Sequence, residues 1–336
     1  MSTPVVSIQT AERAGSRLVI GISGISGSGK TLTALLLAYG MTGGDGSKIG
    51  LLCTENRRGR LYADRSTYEL AAAQLCIPVQ RVTPFLVGDM EPPFSPVRYS
   101  DAILQFQQAG VEILVIDSVS HEWEGIGGCE EIAERGAQRG MKDWKTAKGS
   151  EKGHRKFMNT LLACDMHIIA CIRAREKVKI ERVNGKTEVT PLGILPVCEK
   201  NFMFEMTVSM MMWAAGQSRE VVKASGTDGI FGAAGHHTGY LTADHGRQLR
   251  AWVDGAVQLD PEIERGRNTL RTIAARGMTA YRAAWSETPE RVRRALIADG
   301  THETLKASAS AFDSDARAAQ AGGADLADLN DAVAAG

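Results

Sequence analysis

The chain is 336 residues long, 43% hydrophobic and 23% charged, with Lys+Arg and Asp+Glu equal at 39 each. That length can bury a sizeable core and fits one large domain with a smaller one. The balanced charge leaves any basic surface to local clustering and excludes a bulk polycation or polyanion. Six dispersed cysteines (Cys53, Cys76, Cys129, Cys164, Cys171, Cys198) form no C-x-x-C pair, which points to buried, reduced thiols and away from a zinc site. No apolar run reaches the ~20 residues of a membrane span and Met1 to Arg17 lacks a signal stretch, so a soluble, cytoplasmic protein without a membrane role is expected.

Residues 1–16 read as a polar arm. From there apolar strand-like runs alternate with helical stretches, the pattern of an α/β protein with a mainly parallel sheet. Leu18-Val19-Ile20-Gly21-Ile22 is the first expected strand, Thr31 to Tyr39 an apolar helix, and Ile49 to Thr54 the second strand. Residues 97–109 read as helix and Val111 to Ile116 as a β-branched strand. A polar insertion at 120–150 precedes a helix at 151–164 and a buried strand from Met166 to Ile172. Lys177 to Val189 resembles a hairpin turning at Asn184-Gly185. Two strands are expected at 203–213 and 219–224, then a helix capped by Thr242 with Leu249, Trp252 and Val253 on one face. These residues make a core domain of 17–257. Residues 258–311 read as a bundle of three or four helices, and 312–336 as a disordered acidic tail.

Gly24-Ile25-Ser26-Gly27-Ser28-Gly29-Lys30-Thr31 fits G-x-x-x-x-G-K-[ST], with a strand before it and an apolar helix after it. Glycines let successive N–H groups converge on phosphate oxygens, and the helix start adds its positive dipole end. Lys30 would neutralise the β- and γ-phosphates of ATP and Thr31 would hold Mg²⁺. Asp117, closing the VEILVI strand, is the second magnesium anchor. Hydrolysis needs a carboxylate on the attacking water. Asp117 is followed by Ser118 rather than by the Glu of ring-forming AAA+ motors, which directs the assignment to Glu55, ahead of Glu122 and Glu124.

Two segments are locally basic. One holds Arg173, Arg175, Lys177, Lys179, Arg182 and Lys186; the other holds Lys142, Lys145, Lys148, Lys152, Arg155 and Lys156, with Trp123 and Trp144 nearby. Cations beside aromatic rings suit single-stranded nucleic acid, although each cluster alone also reads as a solvated face. His236-His237 lies in a glycine-rich stretch without metal-ligand spacing, and the arginine-bearing C-terminal helices read as a structural bundle.

Taken together, residues 17–256 resemble the RecA-like recombinase ATPases, in particular the phage-encoded single-strand-annealing ATPases of the Sak type. Ile113-Leu-Val-Ile-Asp117-Ser-Val is similar to the family's Walker B strand, and Leu51-Leu-Cys-Thr-Glu55 lies where such proteins carry the catalytic glutamate. Ile168 to Arg175 resembles the strand leading into their second DNA loop, with Arg173 where RecA has a glutamine sensor. Arg219-Glu-Val-Val-Lys223 resembles the strand that sends a cation, here Lys223, into a neighbour's ATP site. The resemblance implies a RecA-like core, ATP and Mg²⁺, single-stranded DNA as ligand, a ring or filament of like subunits, a single-strand-binding protein as further partner, and a bacterial or phage-infected cell. A P-loop kinase, a ring helicase and a non-catalytic nucleotide switch remain alternatives.

Overall fold

A computed structural model describes residues 16–137, 140–183, 186–255, 261–298 and 300–314. The chain divides into two compact units, Met1–Ala256 and Val257–Gly336.

The first unit is built on a nine-stranded sheet. Its strands are β1 (Val19–Gly24), β2 (Ile49–Cys53), β3 (Leu86–Asp89), β4 (Ile113–Asp117), β5 (His167–Val183), β6 (Lys186–Pro196), β7 (Val208–Trp213), β8 (Ser218–Lys223) and β9 (Gly235–Thr238). They run in the order β3-β2-β4-β5-β1-β7-β8-β9, with β6 paired to β5 off that path. From β3 to β7 every neighbouring pair is parallel, and β8 and β9 add antiparallel strands at one edge. Strand β5 separates the P-loop strand β1 from the Asp117 strand β4.

A parallel sheet is buried on both faces, and the residues alternate accordingly. Ile20, Ile22, Ile113, Val115, Ile169 and Cys171 enter one core layer. Val19, Leu114, Ile116, Ile168, Ala170 and Ile172 enter the other. The first layer is covered by α1 (Lys30–Thr42) and α2 (Arg65–Leu75), the second by α3 (Pro96–Gln108). Residues 120–150, expected as a polar insertion, form three short helices: α4 (Ser120–Glu124), α5 (Cys129–Gly136) and α6 (Trp144–Gly149). Next, α7 (His154–Ala163) packs Phe157 and Leu161 into the second layer, starting only after Gly153. The strand expected at 203–213 begins at Val208, because Phe202–Glu205 takes a 3-10 turn. The Asn184-Gly185 turn lies outside the described residues. A short helix, α8 (Asp228–Phe231), precedes α9 (Ala243–Val253), which the first layer also holds through Leu249 and Val253. Thr242 stands at its start as expected, its N–H donating to His245 Nδ1 at 3.1 Å.

Helices α1 and α9 meet backbone to backbone. A Cβ on Gly40 would lie 1.8 Å from the Ala243 carbonyl oxygen, and one on Gly246 would lie 2.0 Å from that of Leu37. Because α1 starts at Lys30, this close approach sets the seat of the phosphate loop. Gly246→Ala is therefore expected to destabilise the unit by about 1–3 kcal/mol or more, as overpacking does. Thermal unfolding should show a midpoint lower by roughly 2–4 °C per kcal/mol, with weakened nucleotide binding. An unchanged midpoint would mean that the helices part without cost.

The second unit contains α10 (Pro261–Ala274), α11 (Met278–Glu287), α12 (Glu290–Ala298) and α13 over residues 301–314. Leu270, Tyr281, Val292, Leu296 and Leu305 form its core. Gly277, at φ 94°, breaks α10 from α11. Trp285 stacks on His302 with ring centroids 3.9 Å apart, so it belongs to the bundle's interior packing. Helix α13 runs past 312, where the tail was expected to start, and residues 315–336 lie outside the described residues.

Candidate nucleotide site

The loop between β1 and α1 folds as its glycines dictate. Gly27 and Gly29 have φ of 77° and 87°, left-handed values that a side chain resists. At Gly29 a Cβ would also come within 3.0 Å of the Ala215 carbonyl. The Lys30 ammonium is drawn back over the loop, donating to the carbonyls of Gly24 (2.9 Å) and Ile25 (2.8 Å). Thr31 follows within the first turn of α1, and its hydroxyl donates to Asp117 Oδ2 at 2.5 Å. Asp117 stands at the end of β4, where the backbone is also tied to β2: Thr54 N–H donates to the Asp117 carbonyl at 2.8 Å. The Asp117–Ser118 peptide is cis.

These groups open onto a cavity of about 650 Å³. Four cations line it, Lys30, Arg58, Arg173 and Arg175, against three acids, Glu55, Asp117 and Glu124. A cleft with excess positive charge, an N–H-bearing loop and a helix start accepts a polyphosphate. Leu61 and Tyr62 supply an apolar wall suited to a base. Burial pushes the Asp117 carboxyl above the ordinary aspartate range, and the Thr31 hydrogen bond pulls it back. A divalent cation would favour the ionised form at that spot. The Thr31 hydroxyl and the Asp117 carboxylate are oxygen donors that fit Mg²⁺, which prefers oxygen ligands shared with phosphates and water.

Glu55 lies two residues beyond β2 and reaches the same cavity. Its Oε1 accepts a hydrogen bond from Arg173 Nε at 2.8 Å and forms an ion pair with Nη2 at the same distance. Arg175 is likewise engaged, with Nη1 2.8 Å from Glu124 Oε2. The two arginines expected on a DNA loop are thus members of the nucleotide pocket. Topology is the reason: β5 lies beside β4, and its residues past Ile172 emerge opposite Glu55 and Glu124. Arg173 N–H donates to Ser120 Oγ at 2.8 Å, joining β5 to α4.

Other expectations also change. Lys148 does not stand free for nucleic acid: its ammonium is 2.6 Å from Glu199 and 5.2 Å from the centre of the Trp123 ring. Trp123 and Trp144 stack on each other, 5.3 Å apart and 9° from parallel, over Cys129, Ala133 and Ala147. They pack on a small core and are themselves only partly buried. Lys145 and Lys152 are exposed. Lys177 donates to the Pro196 carbonyl at 2.9 Å, and the side chain of Lys179 lies outside the described residues. Lys223 stands outside the cavity of its own chain and donates to the Phe204 carbonyl at 2.9 Å.

The sequence pattern did not point to His121, Arg58 or Tyr62. His121 Nδ1 is 2.8 Å from Thr54 Oγ1, and the ring stacks on Phe94 at 4.8 Å. Burial, and then the nearby Arg173 charge, push its pKa below the usual histidine value. Its only signal was a place four residues past Asp117.

The AAA domain family matches residues 16–193, a span that holds the phosphate loop, Glu55, Asp117 and Arg173. The chain belongs to the AAA domain family. As an AAA-domain protein it is a P-loop ATPase, and membership implies a nucleotide with its customary Mg²⁺. A search of curated proteins returned no match. Among solved structures, the chain is similar to a KaiC-like protein from the hyperthermophilic archaeon Pyrococcus horikoshii OT3. The two are 16% identical over 56% of this chain and 81% of that one, with a TM-score of 0.28. Among the described residues no helix of this AAA-domain protein is long and apolar enough to cross a membrane.

Proposed function

We propose that this chain hydrolyses ATP, binds single-stranded DNA, and promotes annealing or strand exchange in homologous recombination as a homo-oligomer. The β5–β6 hairpin carries the reading. Strand β5 gives Arg173 and Arg175 to the nucleotide pocket and continues to Val183, paired with β6 as far as Lys186 through a register shift between Lys177 and Val178. One strand therefore touches both the nucleotide and an outlying ribbon, so a ligand that moves the ribbon moves Arg173 against Glu55. The ribbon carries Lys177, Lys179, Arg182 and Lys186 in sequence, with Val178, Val189 and Leu192 exposed. Cations along a ribbon track a phosphate backbone without reading sequence, and exposed apolar groups give bases a surface. Lys145 and Lys152 remain available as secondary phosphate ligands, and Lys223 as a cation offered to a neighbouring subunit.

The test is ATP hydrolysis measured with and without single-stranded DNA over a salt series. The logarithm of DNA affinity should fall linearly with the logarithm of salt, and the stimulation should fade with it. Replacing Lys177 and Lys179 by Ala should make that slope shallower by about one for each phosphate left without its cation. Absence of stimulation at every salt concentration removes the DNA reading and leaves the nucleotide site standing. Stimulation by a nucleoside monophosphate instead would make the protein a kinase.

A further inference from the structure

A second constellation lies behind the nucleotide site, and the cysteine spacing gave no hint of it. Glu122 comes from α4, Cys129 is the first residue of α5, and His154 is the first residue of α7. All three are buried, and their ligand atoms lie within 4.8 Å of one another. Cys129 Sγ is 3.2 Å from Glu122 Oε1, and His154 Nδ1 is 3.1 Å from both carboxylate oxygens. We propose that Glu122, Cys129 and His154 form a binding site for a zinc-class divalent cation.

Three observations support it. First, the spacing suits an ion: tetrahedral zinc with ordinary bond lengths sets its oxygen, nitrogen and sulfur ligands about 3.3–3.6 Å apart. The two separations from Glu122, 3.2 and 3.1 Å, lie close to that range, and the thiol and imidazole are within 4.8 Å of each other. Second, the donor set is selective. A thiolate with an imidazole and a carboxylate suits zinc, whereas Mg²⁺ and Ca²⁺ call for oxygen ligands alone. Third, the setting is otherwise unfavourable. Glu122 is fully buried, and among the described residues its carboxylate meets the thiol and the imidazole but no lysine, arginine or backbone N–H. Buried polar groups so sparsely partnered are costly. The local core that must hold them is small, consisting of Cys129, Ala133 and Ala147 under the two tryptophans. A metal staple is how such small cores gain stability.

The surroundings fix the ligands. The His154 ring stands edge-on to Trp123 at 5.9 Å and packs tilted against Phe157 and Phe202, so its plane is set by its aromatic neighbours. Three protein ligands leave one position for water. The ion would join α4, α5 and α7, and α4 also carries Glu124 to Arg175 on the wall of the nucleotide cavity. The proposal stands whether or not the protein binds DNA.

The full chain is stripped with a chelator, retitrated with Zn²⁺, and its metal content measured after gel filtration. One ion per chain is expected, together with a raised thermal midpoint. Cys129→Ser and His154→Gln should each abolish the bound ion, whereas Cys76→Ser, at an exposed cysteine, should keep it. Co²⁺ in place of Zn²⁺ should give a thiolate-to-cobalt charge-transfer absorption in the wild type and in Cys76→Ser. Failure to bind one ion, or equal binding by folded Cys129→Ser, overturns the proposal. Should that variant not fold, a wild-type cobalt spectrum without thiolate charge transfer overturns it equally.

Discussion

Glu55→Gln is expected to lower ATP turnover by ~10²–10⁴-fold, the usual contribution of a positioned general base. Nucleotide affinity should change little, because the phosphates are held by the loop, Lys30 and the start of α1. The glutamate has the attributes of that base. It stands two residues past β2, beside β4 with its Asp117, and its carboxylate reaches the cavity. The amide keeps its shape and removes its charge, so a change in kcat reports the charge. Arg173 complicates the result in a useful way. Its Nε hydrogen bond and Nη2 ion pair, both at 2.8 Å, hold Glu55 to one side. Arg173→Ala frees the carboxylate and also removes a cation from the phosphate cleft, so its effect on basal turnover combines opposing contributions. Phosphate release at saturating ATP, paired with a direct measure of nucleotide affinity, separates the two. Unchanged turnover in Glu55→Gln would transfer the role to Glu124, which faces the same cavity from α4 under the hold of Arg175.

How far the sequence could be read depends on the range of each interaction. The phosphate loop was legible because all its parts are contiguous: strand, glycines, Lys30 and helix occupy one short stretch. The central strands were legible because a parallel sheet buried on both faces needs unbroken apolar runs such as Ile113–Ile116. Strand β3 and helix α2 passed unread. The first has four residues at a half-exposed edge, and the second is a weakly patterned helix whose buried positions are Thr67, Ala71 and Ala72. The short helices between Ser120 and Gly149 likewise fall below the length at which a 3.6-residue period shows. Charge partners were the hardest to read. Arg173 and Glu55 are 118 positions apart, and a string of cations gives no sign of which ones meet a carboxylate. Strand order decides that for Arg173 and Arg175, which it brings to Glu55 and Glu124 on the wall of the nucleotide cavity. The Trp123–Trp144 stack and the Glu122–Cys129–His154 cluster are of the same kind, since both arise only when separate short helices fold onto one another.

Lys30→Ala is expected to abolish useful ATP binding and to cut turnover at any attainable concentration by ~10²–10³-fold or more, the size of losing one preorganised charge at the reacting centre. The fold should survive. Among the described residues Lys30 hydrogen-bonds within its own loop, to the Gly24 and Ile25 carbonyls and at 3.5 Å to Ser28 Oγ, so its removal leaves no distant hydrogen-bond partner unmatched. Thermal unfolding tests binding and folding together. A ligand that binds only the folded state adds stability of RT ln(1 + [L]/Kd), about 2.7 kcal/mol at a hundredfold excess over Kd. In a unit of this size that raises the wild-type midpoint by roughly 5–10 °C when ATP and Mg²⁺ are added. The variant should unfold within a few degrees of the unliganded wild type and gain almost nothing from the nucleotide. An equal upward shift in Lys30→Ala would show that the phosphates are held elsewhere. Thr31, Asp117, Glu55 and Arg173 would then lack a common centre, because the role proposed for each depends on a phosphate chain fixed by Lys30 and the loop.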